Sequence, residues 1–187
     1  MNKSILEFFR ELPDVRRQAG MRHEQGFILL LVLMSTMCGY HGYRPIGDFI
    51  SRNREDLVSH FRPKKGRLPS FDTVRRVVQC LNFGELAGAF YGWSRQHMSL
   101  SANEWVHIDG KAIKGTVSGY SDERQRFISL VTLYASRSGL SIGCGLVDNS
   151  KESEIPEVRQ LISTLGLSGV SFTMDALHCQ KKRPRQS

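Results

Sequence analysis

None of the four cysteines, Cys38, Cys80, Cys144 and Cys179, stands in a C-x-x-C pair. That spacing argues against a structural zinc site. Nothing suggests secretion, so four buried or reduced thiols in a cytosol are the expectation. Long apolar runs are missing as well. The run FILLLVLM at 27–34 falls short of the roughly 20 residues that a membrane span needs, and Ser35, Thr36, Cys38 and Gly39 follow it directly. Acids at Glu7, Glu11, Asp14 and Glu24 precede it, and it starts late, which argues against a secretory signal. The run reads instead as a fully buried core helix, and the protein as cytoplasmic, with no membrane partner.

What is present suits a folded, soluble chain. Its 187 residues are 40% hydrophobic and 24% charged, enough for one ordinary domain or two small ones and unlike a disordered tail. The net charge of +8 bears on partners, since basic proteins attract phosphate backbones and anionic surfaces. Residues 1–100 hold 15 basic and 9 acidic side chains. Residues 101–187 hold 11 and 9, and four of those bases are Lys181, Lys182, Arg183 and Arg185 at the tail. The first half is built to meet an anion; the second is built around carboxylates.

Residues 1–100 show helical spacing. Ile5, Phe8, Phe9 and Leu12 mark one helix, which Pro13-Asp14 breaks. A second covers 24–38 and ends near Gly39 and Gly42. Ile46, Phe49 and Ile50 mark a third, and Leu57, Val58 and Phe61 follow. RPKKGRLPS at 62–70 is a basic loop. Ser70 is placed to cap a helix through Thr73, Val74, Val77, Val78 and Leu81, with Asp72 in its first turn. Another helix fits 85–97. The polar stretch 99–103 is the expected domain boundary, giving a helical, basic domain over 1–100 and a second domain over 104–187.

There the period changes to two. EWVHIDG at 104–110 alternates Val106 and Ile108 against His107 and Asp109, a strand ending at a glycine. A loop over 111–124 comes next. Residues 126–135 read as a buried strand, 136–139 as a hairpin turn, and 140–147 as a strand with Leu140, Ile142, Cys144 and Leu146 alternating. A helix over 153–166 carries Ile155, Val158, Ile162 and Leu165, and 170–176 is a last strand that brings Asp175 to its end. The order is β-β-β-α-β. A right-handed crossover returns the last strand parallel to the first, which sets Asp109 and Asp175 side by side, where open α/β sheets bind ligands.

Two close carboxylates repel unless a cation or proton intervenes. Mg²⁺ accepts a few carboxylates and keeps water and phosphate oxygens as its other ligands. Either aspartate alone also has a structural reading, as a turn residue; the pair, in this topology, favours metal. Lys111 and Lys114 beside Asp109 are placed to hold phosphate, or to be a solvated loop. His107 shares the face of Asp109, and His178 follows Asp175 by three residues; either sits near a metal or is an ordinary polar residue. Eight bases and three acids lie between Arg52 and Arg76, among them Arg62, Lys64, Lys65, Arg67, Arg75 and Arg76. With the helix at 71–81, this stretch can meet DNA in helix-turn-helix fashion; a basic loop without a partner is the structural alternative.

IDGKAIKG (108–115), LVDNSKESEIPEVRQLI (146–162) and TMDALHCQKK (173–182) together resemble the H-repeat-associated transposases of bacterial insertion sequences, which are of the DDE class. LPSFDTVRRVV (68–78) and residues 21–50 resemble the helical domain that precedes catalysis in that family. The resemblance implies a fold of α+β or α/β type, a helical N-terminal domain followed by a partial RNase H-like domain. It implies Mg²⁺ or Mn²⁺ held by Asp109 and Asp175 as catalytic residues. It implies cleavage and strand transfer of double-stranded DNA at element ends and target, near the nucleoid. No residue matches the family's third acid, so a truncated chain of weak or no activity is expected. The competing expectation is a non-catalytic DNA-binding protein that inhibits a full-length transposase, as its partner or in place of a homodimer. A stand-alone metal nuclease is the third.

Overall fold

The computed structural model describes residues 2–17, 19, 21–97, 103–113, 116, 128–148, 159, 162–163 and 169–174. The chain divides into two compact units, Met1–Gln96 and His97–Ser187.

The first unit is helical. Helix α1 (Ile5–Arg10) opens with a capping box: the Glu7 amide donates to Ser4 Oγ at 3.3 Å, and the Ser4 amide donates to Glu7 Oε2 at 2.6 Å. That bond holds the Glu7 carboxyl below the usual carboxylate range. Helix α2 (Gln25–Met37) packs on α1. Ile28, Leu29 and Leu31 are buried, whereas Val32, Leu33 and Met34 are half-buried and Met37 is 79% exposed. The expectation of a fully buried helix is corrected: neighbouring helices cover only part of its circumference.

Gly39 (φ 83°) and Gly42 (φ 95°) turn the chain through backbone conformations that only glycine adopts readily. Helix α3 (Tyr43–Arg52) then buries Ile46, Phe49 and Ile50, and α4 (Arg54–Phe61) buries Leu57. Helix α5 (Phe71–Gln79) starts at Ser70, whose hydroxyl accepts from the Thr73 amide at 3.4 Å. Its Val74 and Val77 are fully buried at three-residue spacing, which leaves Arg75 and Arg76 on the outer face. Helix α6 (Phe83–Ser94) begins two residues ahead of the expected start, capped by Asn82, and a 3₁₀ turn at Arg95–His97 follows. Val74 and Val77 join Phe9, Ile28, Leu31 and Phe49 in one core.

The second unit carries a four-stranded sheet of order β3-β2-β1-β4, so helices and a mixed sheet occur in one chain, as α+β requires. Strands β1 (Glu104–Ala112), β2 (Ile128–Ala135) and β3 (Leu140–Asp148) form an antiparallel meander. Strand β4 (Val170–Met174) lies parallel to β1, with Glu104 opposite Val170 and Ile108 opposite Met174. Two strand readings need correction. Strand β1 does not end at Gly110, because its ladder with β2 continues to the pair Ala112–Ser129. Nor does β3 keep one alternation. A bulge makes Ile142 the extra residue between the pairs Leu133–Gly143 and Tyr134–Ser141. Ile142 and Val147 are therefore buried, while Leu140 and Leu146 are exposed. The expected helix over 153–166 lies mostly outside the described residues. Of it, Arg159, Ile162 and Ser163 are helical, and Ile162 packs against the sheet's core.

Candidate functional site

Strand β1 sorts its side chains by parity. Glu104, Val106 and Ile108 face the core; Trp105, His107 and Asp109 are exposed. Glu104 is the buried acid that the sequence reading missed. Its Oε1 accepts from the amides of Arg137 at 3.1 Å and Ser138 at 3.0 Å, which fastens the β2–β3 turn. Five residues on, Asp109 stands on the opposite face, and its side chain is 66% exposed.

Around Asp109 the contacts are few. Lys111 Nζ lies 3.6 Å from its Oδ2, an exposed pair that contributes little by itself. Lys111 belongs to β1, not to the expected loop, and so shares the face of Asp109. His107 Nδ1 and Thr173 Oγ1 share a hydrogen bond of 2.5 Å, tying β1 to β4 on that face. The His107 ring also stacks beside Tyr134, with centroids 6.5 Å apart. Asp175 and Lys114 lie outside the described residues, as does His178. What is described is the ladder up to Ile108–Met174, the two residues that immediately precede Asp109 and Asp175 in the chain. Among the described residues, no three His, Cys, Asp or Glu side chains converge as a metal cluster.

The predicted basic residues in the first unit do not act as one group. Arg75 is drawn to Asp72 at 3.4 Å. Lys65 and Arg62 are exposed, each in a left-handed conformation, with φ of 58° and 46°. Arg62 and Lys64 line a cavity of about 540 Å³. Arg67 and Arg76 line another of about 480 Å³. The latter also takes Arg22, His23 and Arg54, which the sequence reading did not single out. No local signal would have found them, because positions 22, 54, 67 and 76 converge only in the folded unit. The helix-turn-helix expectation does not hold: residues 62–70 separate α4 from α5, whereas that motif uses a turn of about 3–4 residues, and α5 packs chiefly against α3.

Among the described residues no helix is long and apolar enough to cross a membrane. Residues 6–94 match the DDE_Tnp_1-associated family. "H repeat-associated putative transposase YhhI" of Escherichia coli (strain K12) is 28% identical over 180 residues, which cover 96% of this chain and 46% of that protein. "Putative transposase YncI" of Escherichia coli O157:H7 is 26% identical over 96% of this chain and 45% of its own length. "H repeat-associated putative transposase YbfD" of Escherichia coli (strain K12) is 26% identical over 96% of this chain and 69% of its own. The chain thus spans about half the length of the first two. Over 96% of its length the chain is thus similar to proteins named H repeat-associated putative transposases, and over residues 6–94 it matches the DDE_Tnp_1-associated family model.

Proposed function

We propose that the chain serves DNA transposition, its helical unit gripping double-stranded DNA and its sheet unit presenting Asp109 and Asp175 to a divalent metal, Mg²⁺ or Mn²⁺, in an RNase H-like arrangement. The observation that carries this reading is the parallel β1–β4 ladder, which pairs the residues just before the two aspartates. The donor chemistry fits. Asp109 is a solvent-accessible oxygen donor whose one ion pair among the described residues is the weak one to Lys111, and hard divalent cations prefer carboxylate oxygen.

A metal held there would supply Lewis acidity and an activated water for phosphodiester cleavage. The chain's own residues do the rest. Lys111, on the same face, offers a cation to a phosphate oxygen once Asp109 turns to metal. The His107–Thr173 bond fixes β1 against β4, so the strand that carries Asp109 stays in register with its neighbour.

These 187 residues supply two of the three carboxylates that the transposase resemblance implies. Misplacing a metal costs the geometry on which such chemistry depends. A supercoiled plasmid bearing element ends tests the reading. Duplex binding is expected, with strand transfer weak or absent. Robust integration by this chain would contradict the two-carboxylate account, and failure to bind duplex at 50 mM salt would contradict the DNA account.

A further inference from the structure

We propose that the cleft lined by Arg22, Arg54, Arg67 and Arg76 is a seat for a phosphate group, supplied by the backbone of bound DNA. The inference rests on the DNA-binding reading above but names a site within it. Four guanidinium groups come from four segments: the approach to α2, the start of α4, the end of the basic loop, and α5. Among the described residues no carboxylate lines the cleft.

Three other arginines of the unit are neutralised by a neighbouring acid. Arg10 is paired with Glu24 at 2.6 Å, Arg16 with Asp14 at 2.6 Å, and Arg75 with Asp72. None of the four cleft arginines has a carboxylate within 4 Å among the described residues. Arg54 donates to the Gly66 carbonyl at 3.2 Å, and Arg76 to the Asp72 carbonyl at 3.3 Å. Those bonds position two forks and leave most of their N–H groups for a ligand. Like charges that converge without counter-charge repel, and a phosphate, which guanidinium binds in a two-pronged fashion, relieves that repulsion.

Two further features agree. His23 lines this cleft and the neighbouring cavity, where Arg62 and Lys64 stand. Burial, then the charges of Arg16, Arg22 and Arg67, hold its imidazole below the ordinary histidine value, as a positive local field requires. The adjoining loop keeps Arg62 and Lys65 in left-handed conformations, a strain that proteins retain most often at ligand clamps. Through the shared Arg22 and His23, a single strand has cations along two adjoining cavities.

The test uses the full chain and a duplex of arbitrary sequence, with fluorescence anisotropy between 50 and 200 mM salt. Arg22→Ala and Arg67→Ala remove side chains that make no hydrogen bond or ion pair among the described residues; Arg44→Ala, outside both cavities and outside the basic 52–76 stretch, removes equal charge. Each cleft variant is expected to weaken binding several-fold and to reduce the salt slope by about one contact's worth, with Arg44→Ala near wild type. Equal losses in all three variants would overturn the cleft while leaving DNA binding intact. A second arm titrates inorganic phosphate and follows the His23 ring resonance by NMR. A saturable shift that Arg67→Ala abolishes supports the seat. A phosphate response in a wild-type chain that binds no duplex would keep the seat and remove DNA as its source. No response to either ligand would remove both.

Discussion

The two units use their acids in opposite ways. In the helical unit, Glu24, Asp14 and Asp72 neutralise Arg10, Arg16 and Arg75, and four of the cations left over, Arg22, Arg54, Arg67 and Arg76, line one cleft. In the sheet unit, one strand carries both a buried and an exposed acid. Glu104 is 3% exposed and holds a turn, whereas Asp109 is open to solvent and, among the described residues, holds a loose contact with Lys111. The difference is one of parity: an odd offset along a strand moves a side chain to the other face. The charge left without an opposite partner is cationic in the first unit and anionic on the exposed face of β1, and these are the two places where ligands are proposed.

The largest effect expected is on the helical core that shapes the cleft. Leu31 is fully buried, and Leu31→Ala should cost about 2–5 kcal/mol in urea-induced unfolding followed by circular dichroism. Next comes the parity contrast on β1. Glu104→Ala strands two amides of the turn and should cost about 1–3 kcal/mol, with Glu104→Gln milder. Asp109→Asn should leave stability within about 0.5 kcal/mol, as befits an exposed site. Equal costs for both acids would break the comparison.

Smaller still is the joint change Arg62→Gly, Lys65→Gly. Left-handed backbone costs a side-chain-bearing residue about 1–2 kcal/mol, and glycine's extra unfolded-state freedom takes back about 0.5–1. The double variant should unfold no earlier than wild type yet bind duplex more weakly, in matched melting and anisotropy experiments.

The smallest effect concerns pH. His23 has a lowered folded-state pKa, so the unfolded chain takes up its proton first as pH falls. Stability attributable to this group is present above the ordinary histidine value near 6.5. It is lost as pH falls from there toward the lowered folded value. His23→Gln should flatten the stability curve as pH falls below about 6.5; an unchanged slope would show that the imidazole is not held low.

Much of the framework was legible because it depends on local patterns. Ser70 and the Val74–Val77 spacing announce α5, and the alternation through Val106 and Ile108 announces β1 with Asp109 on its outer face. The parallel return of β4 followed from chain order and the handedness of crossovers. What escaped depends on pairing across the fold. The end of β1 is decided by β2, which keeps pairing as far as Ala112. The phase of β3 is decided by the bulge at Ile142, whose flanking residues look like an unbroken alternation. Glu104 read as the polar start of a strand because the amides it accepts from lie 33 and 34 residues away. The arginine cleft was invisible for the same reason.

The most direct test of the central claim is a Mn²⁺ titration of the full chain, followed by electron paramagnetic resonance, beside Asp109→Asn and Asp175→Asn. The account predicts saturable binding in the wild type that either substitution weakens at least tenfold, with folding intact. Wild-type affinity retained in both variants, or no binding in any of the three, would contradict it.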